Sequence, residues 1–349
     1  MAVSGGQALL NERVLASGLC VGCGACVGIC PYYHYFDGKV MIMDPCRVES
    51  GRCFQVCPRA ECEETDPGRG EETESSGEIG PYRRVLMARA VDPDIRDRAQ
   101  YGGAVSALLI HALEAGDIDC AVLTDAGGAL APDGKIVRRK EEVLACAGSR
   151  YSASGGLSAL NRAVSSDETR IGVVGLPCQM EALARLGKTD PDGAERLAAV
   201  SVRIGLFCTW ALDYRKLNRF LRDRLPGKTL KKYDIPPPPA EVFRVLMDDG
   251  WVDFPLSEIR PLVQKGCGLC CDMTAHRADI SVGTVEGIES WNTVIVRTDA
   301  GAALVDSAIA KGRLETEELP EENLRHLKKA AANKRERGER ASGDAGRSS

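Results

Sequence analysis

Four cysteines near the start of the chain constrain it more than any other feature. Cys20, Cys23, Cys26 and Cys30, followed by Pro31, read C-x2-C-x2-C-x3-C-P. This is the spacing that wraps thiolates around a cubane [4Fe–4S] cluster, with the fourth cysteine passed to a second cluster. The short spacers let successive thiolates converge, and Pro31 turns the chain away. A chain with this motif moves single electrons.

The remaining cysteines support the same chemistry. There are fifteen in 349 residues, eight of them before residue 63. Cysteines clustered at ligand spacing in a long chain read as thiolate ligands, whereas a small secreted domain would use them as disulfides. The N-terminal stretch MAVSGGQALLNERVLASG has neither a basic start nor a continuous apolar run, so no signal peptide is expected. A cytoplasmic protein, or one peripheral to a membrane complex, is the expectation. No apolar run is long enough to span a bilayer, so direct insertion is not expected. A net charge of −5 argues against broad nucleic-acid binding.

The segment 44–62 looks like a degenerate repeat of the first motif, with Cys46, Cys53, Cys57-Pro58 and Cys62. The middle cysteine of a regular repeat is absent and one residue is inserted. Cluster one would use Cys20, Cys23, Cys26 and Cys57; cluster two would use Cys30, Cys46 and Cys53. Its fourth ligand is open between Cys62, Glu49 and Ser50, or a three-iron cluster forms. The alternative is a structural remnant, against which stands the retained spacing Cys53-x3-Cys57-Pro58.

Residues 1–62 therefore form a ferredoxin-like iron–sulfur domain. The acidic, polar stretch 63–79 reads as a linker. From 80 to 327 apolar strands alternate with helices, which predicts an α/β or α+β domain with buried, partly parallel strands. Its first part, 80–175, holds the helix AVSALLIHALEAG after Gly102-Gly103, the strand IDCAVLTD, a helix from Leu157 to Val164 and the strand RIGVVG. Its second part, 176–327, holds the helix QMEALARL and the strand LAAVSVRIGLF. A helix near 213–224, a hairpin around Asp248-Asp249-Gly250, the strands ADISVGTV and WNTVIVRT, and a helix near 302–311 follow. Residues 328–349, basic and then rich in Ser and Gly, read as a disordered tail.

Cys178 and Cys208 each follow a predicted buried strand, the end at which α/β folds place their sites. Downstream lie Cys267-x2-Cys270 and the adjacent Cys271. Four cysteines on three segments can close a thiolate site, and spacing alone leaves zinc and iron–sulfur both open. Cys120 and Cys146 read as core thiols.

Six segments taken together carry a likeness: QYGGAVSALLIHALEAGDID, AGSRYSASGG, VVGLPCQMEALARL, IGLFCTW, GCGLCCDMTAHRADISVG and WNTVIVRTDAG. From about residue 80 to 338 the chain resembles the beta subunits of coenzyme F420-reducing hydrogenase and F420-dependent formate dehydrogenase. With its N-terminal module it is similar to the electron-input subunit of F420H2 dehydrogenase. The resemblance implies a domain that binds FAD and one [4Fe–4S] cluster and exchanges a hydride with the deazaflavin F420. It implies Cys178, Cys208, Cys267 and Cys270 as cluster ligands, and Gly102, Gly103, Ser149, Arg150 and Tyr151 around the flavin. A glycine pair before a helix also exposes N–H groups to an anion. No G-x-G-x-x-G fingerprint accompanies it, so a nicotinamide site is not indicated.

Two positions depart from the family pattern. His276, beside Asp279, stands where the family often has Glu, and Pro236 to Pro239 stand where it often has a basic stretch. Arg83, Arg84, Lys231 and Lys232 are possible substitutes for binding the phosphate and polyglutamate of F420.

The expectation is an F420-dependent oxidoreductase subunit with about three [4Fe–4S] clusters and one FAD, working through its cofactors without a catalytic side chain. Its partners would be other subunits of a hydrogenase, formate dehydrogenase, heterodisulfide reductase or membrane dehydrogenase complex. The competing readings are an electron-relay scaffold that uses no hydride donor, a redox component whose donor is NAD(P)H or ferredoxin, and a zinc-site protein.

Overall fold

The computed structural model describes residues 5–60, 77–125, 131–236 and 240–347. Spacers of two and three residues between cysteines leave little room for long elements, and the N-terminal segment has none. Helix α1 (Gln7–Leu10) runs into a π turn. Strands β1 (Tyr33–Phe36) and β2 (Lys39–Ile42) form an antiparallel hairpin. Asp37 and Gly38 make its turn at φ 48° and 79°, the left-handed pair that two-residue hairpins require. Helix α2 (Arg52–Gln55) carries Cys53. Leu10, Val14, Tyr33 and Phe54 form a small local core, while Val21, Ala25, Ile29 and Val56 pack among Leu157, Leu160, Met180 and Leu183 of the larger unit. The segment is thus docked through a shared core.

The larger unit begins with β3 (Arg84–Ala90), α3 (Pro93–Arg98), α4 (Ala104–Ala115), β4 (Cys120–Thr124), β5 (Gly134–Val137), α5 (Lys140–Ala145) and α6 (Gly156–Val164). It continues through β6 (Ile171–Gly175), α7 (Pro177–Leu186), α8 (Pro191–Ala198), β7 (Val200–Leu206) and α9 (Tyr214–Arg224). Then come β8 (Leu230–Asp234), β9 (Val242–Met247), β10 (Gly250–Pro255) and α10 (Leu256–Ile259). Strands β11 (Ile280–Val285) and β12 (Ile288–Val296), helix α11 (Asp299–Ala310), β13 (Leu314–Glu317) and helix α12 (Glu321–Arg347) complete it.

Eight strands form one mixed sheet in the order β13-β3-β12-β11-β7-β6-β4-β5. Its centre, β11-β7-β6-β4, is parallel, and the pairings outside it are antiparallel. The parallel strands are largely apolar along their whole length, as burial on both faces demands. Leu108, Ile110 and Val305 of α4 and α11 cover one face; Leu160, Met180 and Leu183 of α6 and α7 cover the other. The expected α/β unit is therefore mixed. A second, three-stranded antiparallel sheet, β10-β9-β8, has its own core around Phe243, Val245 and Leu217.

Two expectations are corrected. The strand expected over 197–207 starts at Val200, because α8 occupies the chain through Ala198. The tail expected to be disordered is helix α12. Leu324, Leu327 and Ala331 fall on one face at helical spacing and pack with Ile79, Tyr82 and Ile295. Lys334, on the same face, is 2% exposed. No described helix is long and apolar enough to cross a membrane. The acidic linker falls largely on residues 61–76, outside the described residues.

Candidate functional site

Strands β6 and β7 lie side by side and parallel, so their carboxyl ends open onto the same edge. Pro177 starts α7 directly after β6 and puts Cys178 in its first turn. Cys208 follows β7, its amide held by the Met273 carbonyl oxygen at 2.9 Å. Cys267 and Cys270 sit on and just after the 3-10 turn Lys265–Leu269. All four cysteines line one pocket, together with Arg59, Lys334, Trp210 and Pro177. They form the C-terminal set, and its four members are those named from sequence.

Among the described residues, no three or more His, Cys, Asp or Glu side chains close around a single ion. Four thiols spread around a cavity suit a multi-atom group such as a cubane. Burial pushes the Cys178 thiol well above its ordinary value and Cys208 up to about 12. Burial also opposes ionisation of Cys270, but the charges of Lys334 and Arg59 outweigh it and leave that thiol below its ordinary value.

The N-terminal cysteines fall into two further sets. Cys20, Cys23, Cys26 and Cys57 act on one another electrostatically. Burial first, then these neighbours, pushes Cys23 up to about 12 and Cys57 to about 11. Four such thiols can ionise together only against strong positive charge, which a cluster's iron supplies. Cys53 is raised by burial and also faces Cys30 and Cys46, which gathers the second set. Of the expected fourth ligands, Glu49 and Ser50 are exposed, and Cys62 lies outside the described residues. Sequence reasoning missed the nearby Tyr33, whose buried hydroxyl hydrogen-bonds Cys53 and also faces Cys26 and Cys30.

Two cations missed from sequence complete the C-terminal set. Arg59, two residues after Cys57, donates Nε to the Gly266 carbonyl oxygen at 2.7 Å and Nη1 to the Pro58 carbonyl oxygen at 2.8 Å. Its charge acts on Cys178, Cys267 and Cys270, and on Cys20, Cys23 and Cys57 as well. Lys334 of α12 donates Nζ to the Cys208 carbonyl oxygen at 2.5 Å. The turn bearing Cys267 fits closely against the N-terminal segment: a Cβ on Gly266 would lie 2.0 Å from the Leu19 carbonyl oxygen.

Three of the flavin candidates, Ser149, Arg150 and Tyr151, lie on one loop that reaches the three-stranded sheet. Gln100 accepts from the Ser149 amide at 3.4 Å and donates to Asp234 at 2.8 Å, linking the loop before α4 to the 149–151 loop and β8. The Tyr151 hydroxyl accepts from the Ile235 amide at 3.0 Å, and its ring packs edge-on against Phe243. Arg150 reaches the Ser149 and Ala147 carbonyls, while its buried Nε has no partner. An orphaned guanidinium donor in an aromatic surround fits a bound ring or phosphate.

The glycine pair has a packing and capping role in the fold. A Cβ on Gly102 would meet the Ala88 carbonyl oxygen and Asn292 Oδ1 at 2.9 Å, and Gly103 caps α4 at φ 76°. Asn292 Oδ1 accepts from the Ala104 amide at 3.1 Å, so that N–H is already engaged. The proposed F420-binding cations are engaged too. Arg83 pairs with Asp299 at 2.8 Å, Arg84 with Asp306, and Lys231 with Asp248 at 3.1 Å; Lys232 donates to the Ala99 carbonyl oxygen at 3.3 Å. His276 contacts Asp272, and Asp279 binds Arg203 through both its carboxylate oxygens.

Comparison with known proteins places the chain among its relatives. Residues 85–161 match the N-terminal model, and residues 168–322 the C-terminal model, of the coenzyme F420 hydrogenase/dehydrogenase beta subunit. The chain is 32% identical to the coenzyme F420 hydrogenase subunit beta of Methanothermobacter thermautotrophicus, over 75% of this chain and 94% of that one. The chain belongs to the family of coenzyme F420 hydrogenase/dehydrogenase beta subunits.

Other members of this family align over more of its length. An F420H2 dehydrogenase subunit of Methanosarcina mazei is 29% identical, over 93% of this chain and 91% of its own. The coenzyme F420-dependent sulfite reductase of Methanocaldococcus jannaschii is 31% identical over 91% of this chain, which spans half of that enzyme. A chain of the F420-reducing [NiFe] hydrogenase complex of Methanosarcina barkeri superposes with a TM-score of 0.72 at 29% identity, covering 76% of this chain and 93% of that one. The family segments contain the C-terminal cysteine set and the flavin candidates. Arg59 and Lys334 lie outside them.

Proposed function

We propose that the chain is the F420-facing component of a multi-subunit redox complex, converting two-electron into one-electron transfer. The observation carrying this reading is the gathering of Cys178, Cys208, Cys267 and Cys270 around one cavity, with the N-terminal cysteines docked beside it. When bound, FAD would exchange a hydride with F420 and single electrons with iron–sulfur clusters. Arg150 and Tyr151 would orient the flavin, and the Gln100–Asp234 link would hold their loop against β8. The C-terminal set would hold the cluster next in line, and the two N-terminal sets would lead toward a partner subunit. No side chain is required as acid or base.

The test is spectroscopic. Anaerobically prepared protein, loaded with FAD, is mixed with reduced F420 and an artificial acceptor. Recovery of oxidised deazaflavin absorbance, with iron, sulfide and flavin all present, supports the reading. Absence of any deazaflavin change removes F420 as donor, and zinc without iron or sulfide removes the clusters.

A second reading, in which NAD(P)H or ferredoxin is the donor, draws on one observation. Arg83, Arg84 and Lys231 sit in exposed ion pairs and Lys232 bonds a main-chain carbonyl oxygen, so none of the four is set aside for a polyglutamate tail. The same assay with each donor in turn separates the two readings.

A further inference from the structure

We propose that Arg59 and Lys334 together set the reduction potential of the C-terminal cysteine set, and that Arg59 also joins this set to the first N-terminal set. The inference rests on the cluster reading above. One cation comes from the segment docked on the family domain and the other from the last helix. Both line the cavity of the C-terminal set. Among the described residues neither forms an ion pair with a carboxylate, although the Asp272 charge acts on Lys334. Arg59 hydrogen-bonds the Pro58 and Gly266 carbonyl oxygens and the Cys270 thiol, and Lys334 the Cys208 carbonyl oxygen.

A buried cation without a carboxylate is costly unless another anion answers it. A cluster held by four thiolates is that anion, and each added electron makes it more negative. A fixed positive charge at close range in a low-dielectric cavity favours the reduced form, so the potential rises. Lys334 acts on the C-terminal set alone among the two sets that Arg59 faces. Arg59 stands between them, and the route Cys57–Pro58–Arg59 to the Gly266 carbonyl and Cys267 crosses from one set to the other through a single 2.7 Å hydrogen bond.

A structural clamp would hold the docked segment in place without altering a potential. The full chain, prepared anaerobically, is titrated with dithionite and followed by EPR. The signal lost in Cys267→Ala identifies the C-terminal set. Arg59→Gln and Lys334→Gln are each expected to lower its midpoint by about tenfold in the reduced-to-oxidised ratio, ~59 mV for one electron. Arg59→Lys keeps the charge and recovers most of the shift. Arg59→Gln also lowers the first set's midpoint, and Lys334→Gln leaves it unchanged.

Unchanged midpoints in iron-loaded Arg59→Gln and Lys334→Gln overturn the proposal. If Arg59→Gln loses its iron, Lys334→Gln alone decides, since α12 is remote from the N-terminal cysteines in sequence. If Cys267→Ala loses no signal, the cluster reading itself fails and takes this inference with it.

Discussion

Lys39 Nζ lies 2.5 Å from Asp213 Oδ2 and ties the N-terminal hairpin to the start of α9. The same carboxylate caps α9 by accepting from the Arg215 and Lys216 amides. Burial pushes the Asp213 carboxyl up, but Lys39 and the two amides outweigh it and leave it below its ordinary value. A carboxylate depressed in this way stabilises the fold above its unfolded value and loses that contribution as pH falls through the folded one. Docking of the hairpin should therefore weaken below about pH 4. Hydrogen exchange across residues 33–42 is expected to quicken there. Asp213→Asn should show the faster exchange already at neutral pH; identical exchange in both proteins would contradict this.

Removing one thiolate from the C-terminal set separates cluster content from flavin content. Cys267→Ala should lose about a third of the iron and keep its flavin. Electron delivery to a cluster-dependent acceptor should stop. An unchanged rate would show that the relay order is wrong.

Gly266 is confined by main chain, which cannot swing aside as a side chain can. Gly266→Ala places a methyl group 2.0 Å from the Leu19 carbonyl oxygen. The expected cost is about 1–3 kcal/mol, seen as a lower Tm. A Tm equal to wild type would mean that the docked interface is looser than described.

Arg150 offers a buried donor with nothing to receive it. If flavin is the acceptor, Arg150→Ala should weaken flavin retention at least about tenfold, or ~1.4 kcal/mol. Flavin-to-protein ratios after desalting measure the effect. Full retention would place the flavin elsewhere.

Local signals in the sequence were strong where geometry is local. The hairpin at Asp248-Asp249 and the strands ending before Cys178 and Cys208 follow from turn chemistry and apolar runs. Helix α12 was hidden because its charged composition masks a narrow apolar stripe, and because Lys334 meets its acceptor 126 residues away. Arg59 was hidden for the same reason, its partner Gly266 lying 207 residues on. The packing at Gly102 was hidden in a third way: a Cβ there would meet the Ala88 carbonyl oxygen and Asn292, which no nearby pattern announces.

With Arg59 and Lys334, far apart in the sequence, lining a single cavity, the chamber cannot be finished until both have been made. Lys334 has to clear the ribosome before its wall exists. The wall that Lys334 provides is therefore the last part of the chamber to be made.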